Sequence, residues 1–251
     1  MIAGAGGEAT AAYADVSSWT ETEDVVKTAV DSYGALDVVV NNAGILRDAS
    51  IVKMTEEDFD LVIAVHLKGT FNMTHWACAY WQAESKEGRP RRASIVNTVS
   101  SAGLQGNKGQ ANYGAAKAGI AALTMITALE GKRSGVRANA VAPGGATRMV
   151  TETFPQMATV EANEVTEGEF DRMNPGNSAP IVAWLASDEA LHVSGQVFSA
   201  VGDEIAHYEP WKLGPAIKAG TEPQKWDPEK IGAAVNSQVF GSEIGGLQIN
   251  V

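Results

Sequence analysis

Three side chains in the middle of the chain have the types and spacing of an acid–base site. Tyr113 and Lys117 are four residues apart, and Ser100 stands thirteen residues before the tyrosine. Residues four apart on a helix lie on one face, so the ammonium can act on the phenol. A free tyrosine has a pKa near ~10, and a neighbouring positive charge lowers that pKa by favouring the phenolate. The predicted chemistry is proton transfer at a carbonyl or carbinol oxygen that the serine hydroxyl orients, although such Tyr–Lys pairs also occur by chance on many helices.

Composition narrows the class of protein. A chain of 251 residues is long enough for one domain with a sizeable core. Its net charge of −11 argues against a nucleic-acid or anionic-membrane partner, because either would be repelled. No run approaches the ~20 apolar residues of a membrane span, and the first residues lack a signal peptide's basic and apolar regions. Cys78 is the single cysteine, so no internal disulfide can form, and its apolar surroundings predict a packed residue. We also expect no metal site and a cytoplasmic location.

Strand and helix patterns alternate along most of the chain. The predicted strands cover 11–16, 36–40, 93–99, 136–141 and 196–201, and the predicted helices cover 19–33, 55–82, 113–130 and 178–186. Ser17 and Ser18 suit the start of the first helix and Gly34 its end. The continuous apolar run at 36–40 is typical of a strand buried on both faces. This alternation predicts a doubly wound parallel α/β sheet of Rossmann type.

The pattern loosens from Asp203 onward. Four prolines occur there without a strong period, and Asp227–Pro228 suits the start of a short helix that ends near Val235. We therefore predict a main domain over 1–202 and a C-terminal extension over 203–251.

A family resemblance rests on motifs spread over residues 10 to 202. These motifs are Asp15–Val16, Asn41-Asn42-Ala43-Gly44, the Ser100/Tyr113/Lys117 set, and Pro143–Gly144. In this order and spacing they resemble the short-chain dehydrogenase/reductase family. The stretches 42–48, 65–69, 109–113, 179–180 and 184–185 are similar to one branch of it. That branch is the (3R)-hydroxyacyl-CoA dehydrogenase domain of peroxisomal multifunctional enzyme type 2 with its bacterial relatives, and its nearest neighbours are the 3-oxoacyl-carrier-protein reductases.

The resemblance implies catalytic roles for four residues. Tyr113 would give and take the proton at the substrate oxygen. Lys117 would lower the pKa of Tyr113 and hold the nicotinamide ribose, and Ser100 would hydrogen-bond the substrate carbonyl. His66 stands where the family usually has an asparagine that helps to relay protons to the lysine. Histidine can pass protons near neutral pH, but a lone histidine on a helix is more often a packed or surface residue.

The resemblance also implies a dinucleotide cofactor, NAD or NADP. Asp15 and Val16 would flank the adenine, and Asn42, Ala43 and Gly44 would line the cofactor at a strand's carboxyl end. The backbone after Pro143 and Gly144, at Ala146 and Thr147, would contact the nicotinamide, as would Tyr113 and Lys117. The family places its substrate lid at 149–174.

The implied activity is the interconversion of a 3-hydroxyacyl thioester and its 3-oxo form. A homodimer or homotetramer is expected, because the long helices that carry His66 and Tyr113 usually form the family's subunit contacts. A related reductase of another ketone or alcohol, and a non-catalytic homologue kept for assembly, remain open.

Four residue assignments have plainer alternatives. The segment 41–44 could be an ordinary turn after a strand. Asp15 could be a solvated residue at a helix start, and Thr147 a simple loop hydroxyl. Ser101 could replace Ser100, although a spacing of twelve residues fits the family less well.

The N-terminus departs from the family pattern. Gly4 to Ala9 superficially match G-x-G-x-x-A, but only three residues precede them and a strand is predicted after them. The family's first strand, glycine-rich turn, following helix and second strand have no counterpart, so we expect an incomplete reading of a longer protein, with a true short form as the alternative. The strand at 11–16 would then lack its neighbour and 36–40 would present an apolar edge.

Overall fold

The computed structural model describes residues 2–147, 170–209, 213, 216–222 and 224–237. The chain divides into two compact units, Met1–Tyr208 and Glu209–Val251. The division follows Tyr208 rather than residue 202, because residues 204 to 208 form a strand of the sheet. In the second unit the predicted short helix is present as Pro228–Val235, and the Asp227 carboxylate accepts a hydrogen bond from the Glu229 amide at its start.

The first unit contains a five-stranded sheet in the order β1-β2-β3-β4-β5. The strands are β1 Val38–Asn41, β2 Ser94–Thr98, β3 Arg137–Pro143, β4 Val197–Val201 and β5 Glu204–Tyr208. The first four are parallel, with Val39 opposite Ile95 and Ile95 opposite Ala138, whereas β5 returns antiparallel to β4. This confirms the predicted mostly parallel sheet.

The predicted helices are present among the described residues of the first unit, and one further short helix, at Ser101–Leu104, was not predicted. In chain order the described helices are α1 Trp19–Tyr33, α2 Glu56–Ile63, α3 Gly69–Lys86, α4 Ser101–Leu104, α5 Ala111–Gly131 and α6 Ala179–Ala186. The Ser18 hydroxyl caps α1, and Gly34 ends it with a φ of 78°. The single helix predicted over 55–82 is interrupted, because a π-helical turn at Ala64–Lys68 separates α2 from α3.

Helices cover both faces of the sheet. Ile95 of β2 packs in one buried cluster with Trp81 of α3, while the next residue, Val96, packs in another with Leu185 of α6. Successive strand residues point to opposite faces, so these two clusters lie on opposite sides of the sheet. Trp81 is fully buried, and its indole N–H donates to the Leu36 carbonyl at 2.7 Å. Strand β2 is therefore held between helices on both of its faces.

Residues 11–16 do not form the predicted strand. In the described part of the chain β1 pairs only with β2, and 11–16 run as irregular chain without ladder partners. A groove of about 340 Å³ lies here, with Ala12, Ala14 and Val16 among its lining residues together with Val38, Val39 and Val40 of β1. A strand needs a hydrogen-bonded neighbour, and the β1 edge lies across this groove. The expected apolar edge is present, since Val40 is 48% exposed.

Candidate active site

The predicted site residues gather where the parallel strands end. Asn42 follows β1, Ser100 follows β2, and Gly144 follows β3. The carboxyl ends of neighbouring parallel strands meet at one edge of a sheet, which is where open α/β sheets bind their ligands. The sheet therefore brings three distant stretches of sequence to one place.

Helix α5 presents Tyr113 and Lys117 to this edge. Lys117 is buried, and its Nζ donates to the Thr98 carbonyl at 2.6 Å and lies 5.5 Å from the centre of the Tyr113 ring. Ser100 caps the short helix α4, where its hydroxyl accepts from the Ala102 amide, and its side chain lies close enough to Tyr113 to favour the phenolate. Ser101 is exposed, so the geometry favours Ser100 as the working serine.

The protonation of this group differs from the sequence expectation. Burial raises the pKa of Tyr113, the Ser100 hydrogen bond opposes that rise, and the Asp48 carboxylate adds to it. Burial lowers the pKa of Lys117 to about 8. The expected lowering of the tyrosine pKa is therefore absent here, because desolvation of the phenolate exceeds the favourable effects. Tyr113 is a neutral phenol at neutral pH, which is the form that donates a proton.

His66 sits in the π-helical turn between α2 and α3. Its Nε2 lies 3.0 Å from the amide nitrogen and 2.8 Å from the carbonyl oxygen of Ile45. Its ring meets that of Tyr113 edge to face, with centroids 5.1 Å apart. Burial, followed by the charge of Lys117, lowers its pKa to about 4, so the imidazole is neutral at pH 7. Short π-helical turns are frequent at functional sites.

Three polar residues without a predicted role hold the site together. Thr98 donates its hydroxyl proton to the Asn42 side chain at 2.9 Å, while its carbonyl binds Lys117. The buried Asn112 side chain donates to the carbonyls of Arg47 and Asp58. Gln110 donates to the Asp48 carboxylate at 2.8 Å. Asn112 and Gln110 belong to a stretch that resembles the family, but only their contacts reveal what they do.

Three of the predicted cofactor residues line the groove beside β1, and a fourth follows them in the chain. Val16, Asn42 and Ala43 line it, and Gly44 follows directly. Asp15 is exposed, and its carboxylate accepts a hydrogen bond from the Ser17 amide just before α1. This bond lowers the pKa of the Asp15 carboxyl. The contact agrees with the alternative in which Asp15 is a solvated residue at a helix start.

The stretch after β3 is held by backbone hydrogen bonds. Gly144 donates to Ala200, Ala146 to Met173 and Thr147 to Gly145. Pro143 ends β3 and precedes them. The substrate lid is predicted over 149–174. Its residues up to 169 lie outside the part of the chain that the structure describes.

The residues present fit a planar ring of a dinucleotide better than the diphosphate that joins its two halves. The groove has apolar walls that suit a planar ring, and Lys117 supplies a cation near Tyr113. Gly4 to Ala9 are exposed, and the segment starts within a short 3-10 turn at Ala3–Ala5 rather than after a strand. Among the described residues, this segment therefore forms no strand–turn–helix cradle for a diphosphate.

The described ranges show neither a metal site nor a membrane-spanning helix. No group of three or more His, Cys, Asp or Glu side chains there could hold a metal ion. Within the same ranges no helix has the length and apolar character needed to cross a bilayer. Burial raises the pKa of the Cys78 thiol to about 11, which makes it a poor nucleophile.

Comparison with known proteins places this geometry in a family. The family model for short chain dehydrogenases matches residues 2–158. The chain is 40% identical over 244 residues to hydroxyacyl-CoA dehydrogenase ChsB1 of Mycobacterium tuberculosis, covering 96% of this chain and 74% of that protein. It is 38% identical over 228 residues to mouse peroxisomal multifunctional enzyme type 2, covering 90% of this chain and 28% of that one.

A solved structure supports the same assignment. The crystal structure of a short chain dehydrogenase from Mycobacterium avium superposes with a TM-score of 0.82 at 46% identity, covering 93% of this chain and 74% of that one. The chain belongs to the short-chain dehydrogenase family, and it is an oxidoreductase. The resemblance to the hydroxyacyl-CoA branch is thereby confirmed.

Proposed function

We propose that this oxidoreductase interconverts a 3-hydroxyacyl thioester and its 3-oxo form with NAD or NADP. The observation that carries the proposal is the contact group of Tyr113, Ser100 and Lys117 beside the groove at the carboxyl ends of β1 and β2. The substrate class rests on the relatives, one of which is named a hydroxyacyl-CoA dehydrogenase. A cytoplasmic location remains a prediction.

The residues would divide the reaction between them. A bound nicotinamide supplies or accepts the hydride. In the reductive direction Tyr113 donates its phenolic proton to the carbonyl oxygen, and the Ser100 hydroxyl orients that oxygen. The phenolate left on Tyr113 is stabilised by the ammonium of Lys117, which is held in place by the Thr98 carbonyl.

The substrate class is tested with the full chain, acetoacetyl-CoA and NADH or NADPH, by loss of the nicotinamide absorbance. Turnover of the thioester that exceeds turnover of a simple ketone such as cyclohexanone supports the proposal. Turnover of the ketone alone would agree with an oxidoreductase but would reject a thioester as its substrate.

We also propose that a second copy of the chain packs against α5. Five exposed residues recur along that helix at spacings of three and four, and all are apolar: Ala115, Ala118, Ala122, Ile126 and Leu129. Ile126 is 50% and Leu129 78% exposed. Residues at these spacings form one stripe, and small side chains allow close approach of a second helix. A dimer through this stripe agrees with the expected oligomer.

Calorimetric titration of the chain with NADH tests the cofactor part of the proposal. Heat of binding at micromolar to low millimolar NADH supports it, whereas no binding of either NADH or NADPH at millimolar concentration would contradict it.

A further inference from the structure

A pocket of about 740 Å³ lies at the edge of the sheet opposite the candidate active site. Its lining residues Arg92, Val136 and Gln196 stand just before β2, β3 and β4, whereas the candidate active site lies where these strands end. Pockets of this size are typical of sites that bind small molecules. This one is therefore separate from the proposed oxidoreductase site.

The lining of this pocket is basic although the protein is acidic. Four cationic side chains line it, and none of its described lining residues is an aspartate or a glutamate: Arg91, Arg92, Lys132 and Arg137. The whole chain has 30 acidic and 19 basic residues, so the pocket concentrates the rarer charge. A concave surface lined by one sign of charge attracts ligands of the opposite sign.

Carboxylates outside the lining pair with two of the arginines. Arg91 lies 3.4 Å from Asp37 and 3.9 Å from Glu84. Arg92 lies 3.1 Å from Asp188. A guanidinium has five N–H donors, so each of these arginines keeps donors for a further acceptor.

Arg137 is the most buried of the four cations. It is 6% exposed, and it donates to the carbonyls of Leu185, Ser187 and Val193, which hold the guanidinium in place. Its Nε is buried and has no hydrogen-bond partner among the described residues. Burial lowers the pKa of Arg137 by more than the charge of Asp188 raises it, so the positive charge is incompletely compensated. An anion in the pocket would supply the missing negative charge.

The rest of the wall is apolar. It includes Met125 and Ala128 of α5, together with Val136 and the 44% exposed Leu191. Leu129, the last residue of the apolar stripe on α5, also lines the pocket, which therefore borders the proposed dimer contact. An apolar wall beside fixed cations suits a ligand that has both a hydrocarbon part and an anionic end.

We propose that this pocket binds a small amphiphilic anion, a molecule with a carboxylate or phosphate group on a short hydrocarbon chain. The anionic group would lie against Lys132 and Arg137, and the hydrocarbon against Met125 and Leu191. The proposal does not rest on the proposed activity, because the pocket and the candidate active site lie at opposite edges of the sheet.

Calorimetric titration of the full chain with hexanoate, hexyl phosphate and 1-hexanol tests the class of ligand. We expect at least one of the two anions to bind with a Kd below about 1 mM, and 1-hexanol to bind at least about 10-fold more weakly, because only a charged group pairs with the cations. The anion that binds more tightly identifies the preferred head group. No binding of either anion at about 10 mM, or equally tight binding of 1-hexanol, would overturn the proposal.

Charge reversal at Lys132 tests the location. Lys132 is exposed, and Lys132→Glu should weaken binding of the tighter anion by at least about 10-fold. Arg92→Gln, which removes the charge of a second exposed side chain of the lining, should weaken it by about 3-fold. Lys27→Glu on α1 changes the net charge as Lys132→Glu does but lies outside the lining, so its Kd should stay within about two-fold of the wild type. Equal Kd values for Lys132→Glu and Lys27→Glu would place the anion elsewhere in the protein and overturn the proposal.

Discussion

The ammonium of Lys117 lies 2.6 Å from the carbonyl oxygen of Thr98, and the hydroxyl of Thr98 donates to the side chain of Asn42. Thr98 thus ties the buried lysine to a residue of the groove. Because Thr98 lies at the end of β2, that strand end positions both Lys117 and Asn42. The site therefore depends on this contact as well as on the spacing of Tyr113 and Lys117 along α5.

Thr98→Val should weaken cofactor binding. The change removes the hydroxyl that holds Asn42 and keeps the backbone carbonyl that binds Lys117. Loss of one such hydrogen bond corresponds to roughly a 5-fold rise in the KM for the nicotinamide cofactor, with little change in kcat. Steady-state kinetics at varied cofactor concentration give both constants. Thr28→Val, which removes an exposed hydroxyl on α1, is the control, and an equal rise there would refute a special role for Thr98.

Lys117→Met should remove a pH dependence of stability. The pKa of Lys117 is about 8 in the folded protein and near ~10.4 in an unfolded chain, so the unfolded chain binds more protons between these values. The free energy of unfolding therefore rises with pH across this interval, by about 3 kcal/mol in total. Urea unfolding at several pH values should show that rise in the wild type and lose it in Lys117→Met. Lys27→Met, which removes an exposed lysine, should retain it.

His66 should make the protein sensitive to acid. Its pKa is about 4 when folded and near ~6.5 when unfolded, so the unfolded chain binds more protons between pH 6.5 and 4. The free energy of unfolding should fall as the pH falls through this interval, by about 3 kcal/mol from this residue. His66→Gln should remove that share of the fall. In Lys117→Met the fall should be smaller, because one of the two causes of the low pKa is gone; an undiminished fall in His66→Gln would contradict the assignment.

Ala118→Glu should dissociate the proposed dimer. The residue is exposed in the middle of the apolar stripe on α5, so a carboxylate there would be buried without a partner when two copies pack. Light scattering coupled to size-exclusion chromatography should give the mass of one chain for the variant and a multiple for the wild type. Thr20→Glu at an exposed position of α1 should leave the mass unchanged, and an oligomer that survives Ala118→Glu would place the contact elsewhere.

Features with local causes could be predicted from the sequence. Helix α1 has its predicted limits because Ser18 caps one end and Gly34 takes the left-handed conformation at the other. The apolar runs of β1, β2 and β3 predict strands because the sheet is covered on both sides. Helical spacing predicts that Tyr113 and Lys117 share one face of α5, whereas their functional role was predicted from the surrounding motifs and the family resemblance.

Features that depend on distant partners were not predictable. The segment 11–16 has a strand-like sequence, but no neighbouring strand gives it a ladder. Strand β5 is almost wholly exposed and shows no alternation, so only its pairing with β4 reveals it. The raised pKa of Tyr113 arises from burial, which the spacing of residues does not report. The roles of Thr98 and Asn112 likewise depend on contacts with residues far away in sequence.

The rate of Tyr113→Phe, followed at the nicotinamide absorbance band with acetoacetyl-CoA as substrate, tests the proposed role of the phenol most directly. Because only the phenolic hydroxyl, which carries the transferred proton, is removed, we predict a fall in kcat of at least about 100-fold, with unchanged NADH binding and with Tyr33→Phe as active as the wild type. A Tyr113→Phe protein whose kcat stays within about two-fold of the wild type would show that another group supplies the proton.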